Sequence, residues 1–161
     1  MLLKRGTLVV LRASIAALLV VTSTGCSGRV TIDMDDKVPP TFSFKRNFDE
    51  MDYISWFYVS EVDPENLNTP SSERKKDDKM IWEIEPLTSV DGEIKHLTPI
   101  TYGTVPPRFT QRIPKDGSPP KLLEGKTYEA GGPGVMVPKG FLRFTVRGGK
   151  AIRVPVPGQD F

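Results

Sequence analysis

The chain has 161 residues, with 22 Lys and Arg against 20 Asp and Glu, one His and one Cys. A single cysteine excludes an internal disulfide and any cysteine-built metal site, so a folded domain here must rest on its core alone. All 20 acidic residues follow Cys26; without residues 1–25 and their three cations, 136 residues remain, with 19 cations against 20 anions and a net charge of −1, which leaves no field to draw a nucleic acid.

Residues 1–25 read as a secretory signal. Lys4, Arg5 and Arg12 form a cationic start, Ala13 to Val21 an apolar stretch, and Thr22-Ser23-Thr24-Gly25 a small-residue end. The apolar stretch falls well short of the ~20 residues that cross a bilayer. The run Ser23-Thr24-Gly25-Cys26 resembles the lipobox of bacterial lipoproteins. That resemblance implies cleavage before Cys26, a diacylglycerol thioether on its sulfur and an acylated amine. It departs from the family at Ser23, where Leu is commonest. Two or more acyl chains anchor a protein stably, at about 0.8 kcal/mol per buried methylene. Ser27 rather than Asp after the cysteine points, by the sorting rule of two-membrane bacteria, to the outer membrane. The predicted organisation is a signal peptide over 1–25, lipidated Cys26 with a flexible tether over 26–38, and one domain over 39–161.

All 15 Pro and 12 of the 14 Gly lie after Cys26, which favours short elements joined by turns. Asp33, Asp35 and Asp36 lack the Gly and distal Glu of a calcium loop and read as a solvated spacer. From Thr41 the pattern becomes strand-like, with Phe42 and Phe44 alternating with polar neighbours. Tyr53–Val59 is aromatic and β-branched. Ile54, Trp56 and Tyr58 are expected on one face and Tyr53, Phe57 and Val59 on the other, as in a central strand. Residues 63–79 are polar and broken by Pro, predicting an exposed loop with a short helical turn over 71–76. Strands are predicted over Met80–Glu85, Leu97–Tyr102 with Pro99 at an edge or a bulge, Phe109–Ile113 and from Thr127, and Asp91-Gly92 marks a turn. Phe141–Val146 and Ala151–Val156 flank Gly148-Gly149, a hairpin signal because both glycines tolerate positive φ. No segment of ten or more residues after Cys26 carries a helical stripe. The predicted fold class is all-β, a single sandwich of about 7–8 short strands.

The run Leu123-Glu124-Gly125-Lys126-Thr127-Tyr128 resembles the tyrosine corner of fibronectin type III domains, within the immunoglobulin-like sandwiches. The resemblance implies that the Tyr128 hydroxyl bonds back to the backbone of this turn and locks a crossing between sheets. Residues 80–146, with Ile100-Thr-Tyr-Gly-Thr-Val-Pro-Pro-Arg-Phe-Thr-Gln111 at their centre, are similar to small lipoproteins of Gram-negative bacteria, a group that implies envelope location and no particular activity.

Chemistry is sparse. His96 is the sole histidine and sits in a charged turn, without a Gly-x-Ser-x-Gly elbow elsewhere. A histidine-built zinc site would lack partners. Gly131-Gly132-Pro133-Gly134 is not followed by the residues of a phosphate loop. Glu83 and Glu85 share a strand face, solvated by expectation. Trp56, Phe57, Tyr58 and Trp82 are expected to fill the core, with a surplus for a partner-facing patch. No catalytic residue and no cofactor or metal is expected. The expected function is a membrane-anchored, non-enzymatic binding module for an envelope protein or glycan, with loops 63–79, 104–120 and 131–139 as its surfaces. The alternative is an envelope hydrolase of cell wall or esters, which would need a pocket joining His96 to a serine and a carboxylate.

Overall fold

The computed structural model describes residues 31–45, 53–69, 78–132 and 140–156. Cys26, the signal segment, the 71–76 turn and residues 133–139 lie outside the described residues. Nine strands form: β1 (Thr31–Met34), β2 (Thr41–Lys45), β3 (Phe57–Glu61), β4 (Lys79–Pro86), β5 (Ile100–Thr101), β6 (Phe109–Ile113), β7 (Thr127–Gly132), β8 (Gly140–Arg147) and β9 (Lys150–Val154). The helical elements among the described residues are three single 3₁₀ turns, at Pro64–Asn66, Val90–Gly92 and Ile94–His96.

Two antiparallel sheets result, one ordered β1-β2-β5 and the other β6-β4-β3-β7-β8-β9. The all-β sandwich is the expected fold class, with nine strands among the described residues rather than seven or eight. β3 lies between β4 and β7, as two apolar faces require. Phe57 and Val59 are fully buried, and regular pairing starts only at Phe57. Before it, Tyr53 bridges Glu93 and the Ile54 amide donates to the Gly92 carbonyl at 2.9 Å. The strict alternation expected over 53–59 therefore breaks at Ser55: Ile54 is buried but Trp56 is exposed.

The hairpin forms at Gly148 and Gly149, with φ of 59° and 71°. Side chains beyond glycine resist that region, which is why Gly-Gly predicts the turn. Glycine matters differently at Gly132, where an added Cβ would collide with the Trp56 carbonyl. Gly131 and Gly132 thus end β7 rather than open the expected 131–139 loop.

The sheets meet through aromatic rings. Phe57 stands 5.1 Å from Phe42, 5.5 Å from Phe44 and 6.2 Å from Trp82 between ring centroids. Phe42 also reaches Phe144, on which Tyr128 stacks at 5.5 Å.

The tether expected over 26–38 is corrected by β1. Ile32 pairs with Phe44 and Met34 with Phe42, and Ile32 is buried in the core. The acidic spacing of Asp33, Asp35 and Asp36 hid this two-residue apolar alternation. The carboxylates face other work: Asp33 takes Lys45 at 3.0 Å, Asp35 accepts the Thr41 amide, and Asp36 takes Lys150 at 2.8 Å. The 63–79 loop is also less exposed than expected near its start, where Asn66 is buried. Leu97–Tyr102 shortens to the two-residue edge strand β5, because Ile94–His96 is a 3₁₀ turn and Pro99 cannot donate to a ladder.

Replacing Ile32 with Ala should cost about 2–4 kcal/mol, the range for emptying a buried isoleucine site. A fragment starting at residue 39 should unfold at markedly lower urea than residues 27–161. Equal midpoints would show that β1 adds nothing to the fold.

Candidate functional site

The connection from β6 to β7, residues 114–126, is held from inside the sandwich. Three core rings send polar tips to it. Trp82 Nε1 donates to Gln111 Oε1 at 3.1 Å, and Gln111 Nε2 donates onward to the Pro114 and Gly117 carbonyls at 2.7 and 2.9 Å. Tyr102 packs edge-on against Trp82 at 5.3 Å, and its hydroxyl donates to the Pro120 carbonyl at 2.7 Å. The Tyr128 hydroxyl accepts the Leu123 amide at 2.8 Å. Burial raises the pKa of both phenols, so each stays protonated through the neutral range.

The bond expected of Tyr128 is thus present, but its setting differs. Both β6 and β7 belong to the six-stranded sheet, so the turn closes a connection within one sheet. It is tied further by the Gly125 amide to the Val146 carbonyl, the Thr145 hydroxyl to the Lys126 carbonyl, and Lys126 to Glu61.

This connection walls an apolar hollow of about 360 Å³ with Val38, Pro39, Tyr102, Pro119, Pro120 and Leu122. Prolines have few conformations to lose, and Tyr102 is locked, so the hollow is preformed.

A second hollow, of about 350 Å³, holds His96 beside Asp91, Leu97, Ile100, Arg108 and Phe109. Arg108 adopts φ 66°, a strained region for a long side chain. Its carbonyl accepts the Leu87 amide at 2.9 Å, and its guanidinium meets Asp91 at 3.2 Å. The Thr88 hydroxyl, 2.6 Å away, and then Arg108 hold the Asp91 carboxyl below the usual range against burial. Asp91 is therefore committed to structural partners. The carboxylate nearest His96 is Glu93, 3.6 Å from Nε2, and Glu93 also binds Lys95 at 2.6 Å. The hollow joins His96 to a carboxylate, and its hydroxyl is that of Thr98 rather than of a serine.

Glu83 and Glu85 share a face as expected, but Arg112 bridges them, at 3.3 Å to each. Of the aromatic quartet, Phe57 and Trp82 are core, Tyr58 is half-buried and Trp56 is exposed. The expected 104–120 loop is interrupted by β6 and becomes two connections.

Sequence reasoning missed Arg143. It alternates with Leu142 and Phe144 and so reads as an outward, solvated residue. Its side chain is 1% exposed. Nη1 donates to the Leu67 carbonyl at 2.7 Å and Nη2 to Glu129 at 3.4 Å, while Tyr58 donates to Glu129 at 3.3 Å. The segment after Val62 covers this pair from 76 residues away in sequence, which no local pattern reveals. Arg143 Nε has no hydrogen-bond partner among the described residues, a cost the pair bears for its burial.

The chain matches no protein-family model, no curated protein and no solved structure. No helix among the described residues is long and apolar enough to cross a membrane.

Tyr128→Phe should lower stability by about 1–2 kcal/mol, because the ring stays and the Leu123 amide loses its acceptor. Removing the Lys126 charge, which breaks only a solvent-exposed ion pair with Glu61, should leave the midpoint close to wild type. Urea unfolding measures both, and a Tyr128→Phe midpoint equal to wild type would remove the corner's structural role.

Proposed function

We propose that the protein is an envelope lipoprotein, anchored through lipid on Cys26 at the periplasmic face of the outer membrane. Its domain is a fibronectin type III-like sandwich that binds an envelope partner and performs no reaction. Support for the sandwich reading comes from strand order. β1-β2-β5 follows the A-B-E order of such folds and β3-β7-β8 the C-F-G order, with β4, β6 and β9 added at the edges.

The observation that carries the binding reading is the hollow walled by Pro39, Tyr102, Pro119, Pro120 and Leu122. It is apolar, preformed and fixed from the core by the Tyr102 hydroxyl. Sites of that kind bind with little ordering cost. A protein segment with a small apolar anchor fits its size and lining.

A photo-crosslinking residue at Leu122 should trap one partner of defined size in intact cells, and one at Thr110 on β6 should trap none. Pro119→Asp, which sets a charge on the rim, should abolish the adduct. Cys26→Ser should release the protein from the membrane fraction. Equal labelling from Leu122 and Thr110 would overturn the hollow as a binding site.

A further inference from the structure

We infer that one end of the sandwich, carrying Trp56, Leu87 and Val90, rests on the lipid headgroups of the membrane that holds the anchor, with the proline-walled hollow at the opposite end facing away. This rests on the lipid anchor at Cys26 proposed above.

Chain length sets the first constraint. β1 begins at Thr31, five residue steps after Cys26. Fully extended, five steps reach at most about 16–18 Å. An acylated cysteine sits at the border of the hydrocarbon, beneath a headgroup layer of roughly 5–7 Å. Thr31 therefore stands no more than about 13 Å above the headgroup surface. A tether over the whole of 26–38 would have allowed any orientation; β1 removes that freedom.

Register identifies the end that Thr31 marks. Thr31 pairs with Lys45, the last residue of β2. At the other end of β1, Asp36 binds Lys150 and its carbonyl accepts the Ala151 amide. The 148–149 hairpin thus lies far from Thr31, and the close of β9 lies near it. In the six-stranded sheet, Val154 pairs with Arg143 near the start of β8, Gly140 pairs with Gly132, and Tyr58 pairs with Gly131. Phe57 pairs with Ile84, and Pro86 with Phe109. The start of β3 and the close of β4 therefore lie at the Thr31 end. Trp56 precedes the former, Leu87 follows the latter, and Val90 lies in the next turn.

These side chains are 37%, 63% and 55% exposed, respectively. Tryptophan and branched apolar side chains gain from a headgroup interface. Lys45, Lys95 and Arg108 at this end pair with Asp33, Glu93 and Asp91. Among the described residues the contact is therefore apolar; Arg29 and Arg46, which flank β1 and β2 in sequence, lie outside the described residues. Leu123 and the hollow lie at the far end: the Leu123 amide reaches Tyr128, which pairs with the Glu61 end of β3. β8 alone spans eight residues, about 27 Å, which keeps that end out of the tether's reach when the sandwich stands.

The test uses the full lipidated protein in phosphatidylcholine vesicles containing headgroup-nitroxide lipid. With Cys26 acylated, an introduced cysteine is the sole free thiol. Leu87→Cys, Leu123→Cys and Ile152→Cys, all at exposed sites, are labelled with a small fluorophore in separate samples. The Leu87 label should be quenched several-fold more than the Leu123 and Ile152 labels. Flotation is measured alongside. Wild type that floats while Cys26→Ser stays in solution supports the anchor; wild type that does not float removes the anchor and the placement with it. A floating protein with Leu123 quenched as strongly as Leu87 leaves the anchor standing and overturns the placement. Ile152 quenched as strongly as Leu87 means the sandwich lies on its β9 edge, which also overturns it.

Discussion

Phe57 joins the two sheets. With one cysteine in the chain, no disulfide can do so, and the rings of Phe42 and Phe44 from one sheet meet Phe57 of the other, which in turn meets Trp82 beside it. Tilted and edge-on ring pairs contribute about 0.5–1.5 kcal/mol each beyond the area they bury. The layer also does more than fill space. Trp82, Tyr102 and Tyr128 end in polar groups, and all three aim them at the same side of the sandwich. Through Gln111, Pro120 and Leu123 they fix the 114–126 connection. The hollow beside that connection is therefore an outgrowth of the core, with walls as settled as the rings beneath.

The outer face of the large sheet follows a different logic. Arg143 and Glu129 would normally be solvated there, but the segment from Val62 to Leu67 covers them. A buried pair of this kind is rarely a net gain over apolar residues of like volume, yet breaking it by removing one partner is costly. It fixes where the covering segment sits, because the Leu67 carbonyl must meet the guanidinium.

Much of this was legible in the sequence where local chemistry dictated it. Gly148-Gly149 between alternating apolar runs gave the hairpin, Trp82 and Ile84 gave β4, and the resemblance of Leu123–Tyr128 to a tyrosine corner implied the hydroxyl bond. Failures came where a distant segment decided the outcome. Ile32 and Met34 are too few to announce a strand among three aspartates, and only pairing with Phe44 and Phe42 makes one. Arg143 reads as solvent-facing until a segment 76 residues away covers it. Trp56 leaves its expected face because Ile54 is held by the Gly92 carbonyl, which pulls the chain out of strand geometry before Phe57. The hollows were not legible at all, since each gathers residues from separate loops.

Ring tips in the core hold the 114–126 connection, and with it the wall of the hollow, in place. Amide hydrogen exchange on the Tyr102→Phe, Tyr128→Phe double variant tests it most directly. Both rings remain, so β3, β7 and β8 should keep their protection, while amides from Asp116 to Lys126 should exchange faster than in wild type. Unchanged exchange in that connection would contradict the account, as would an equal loss of protection across the whole domain.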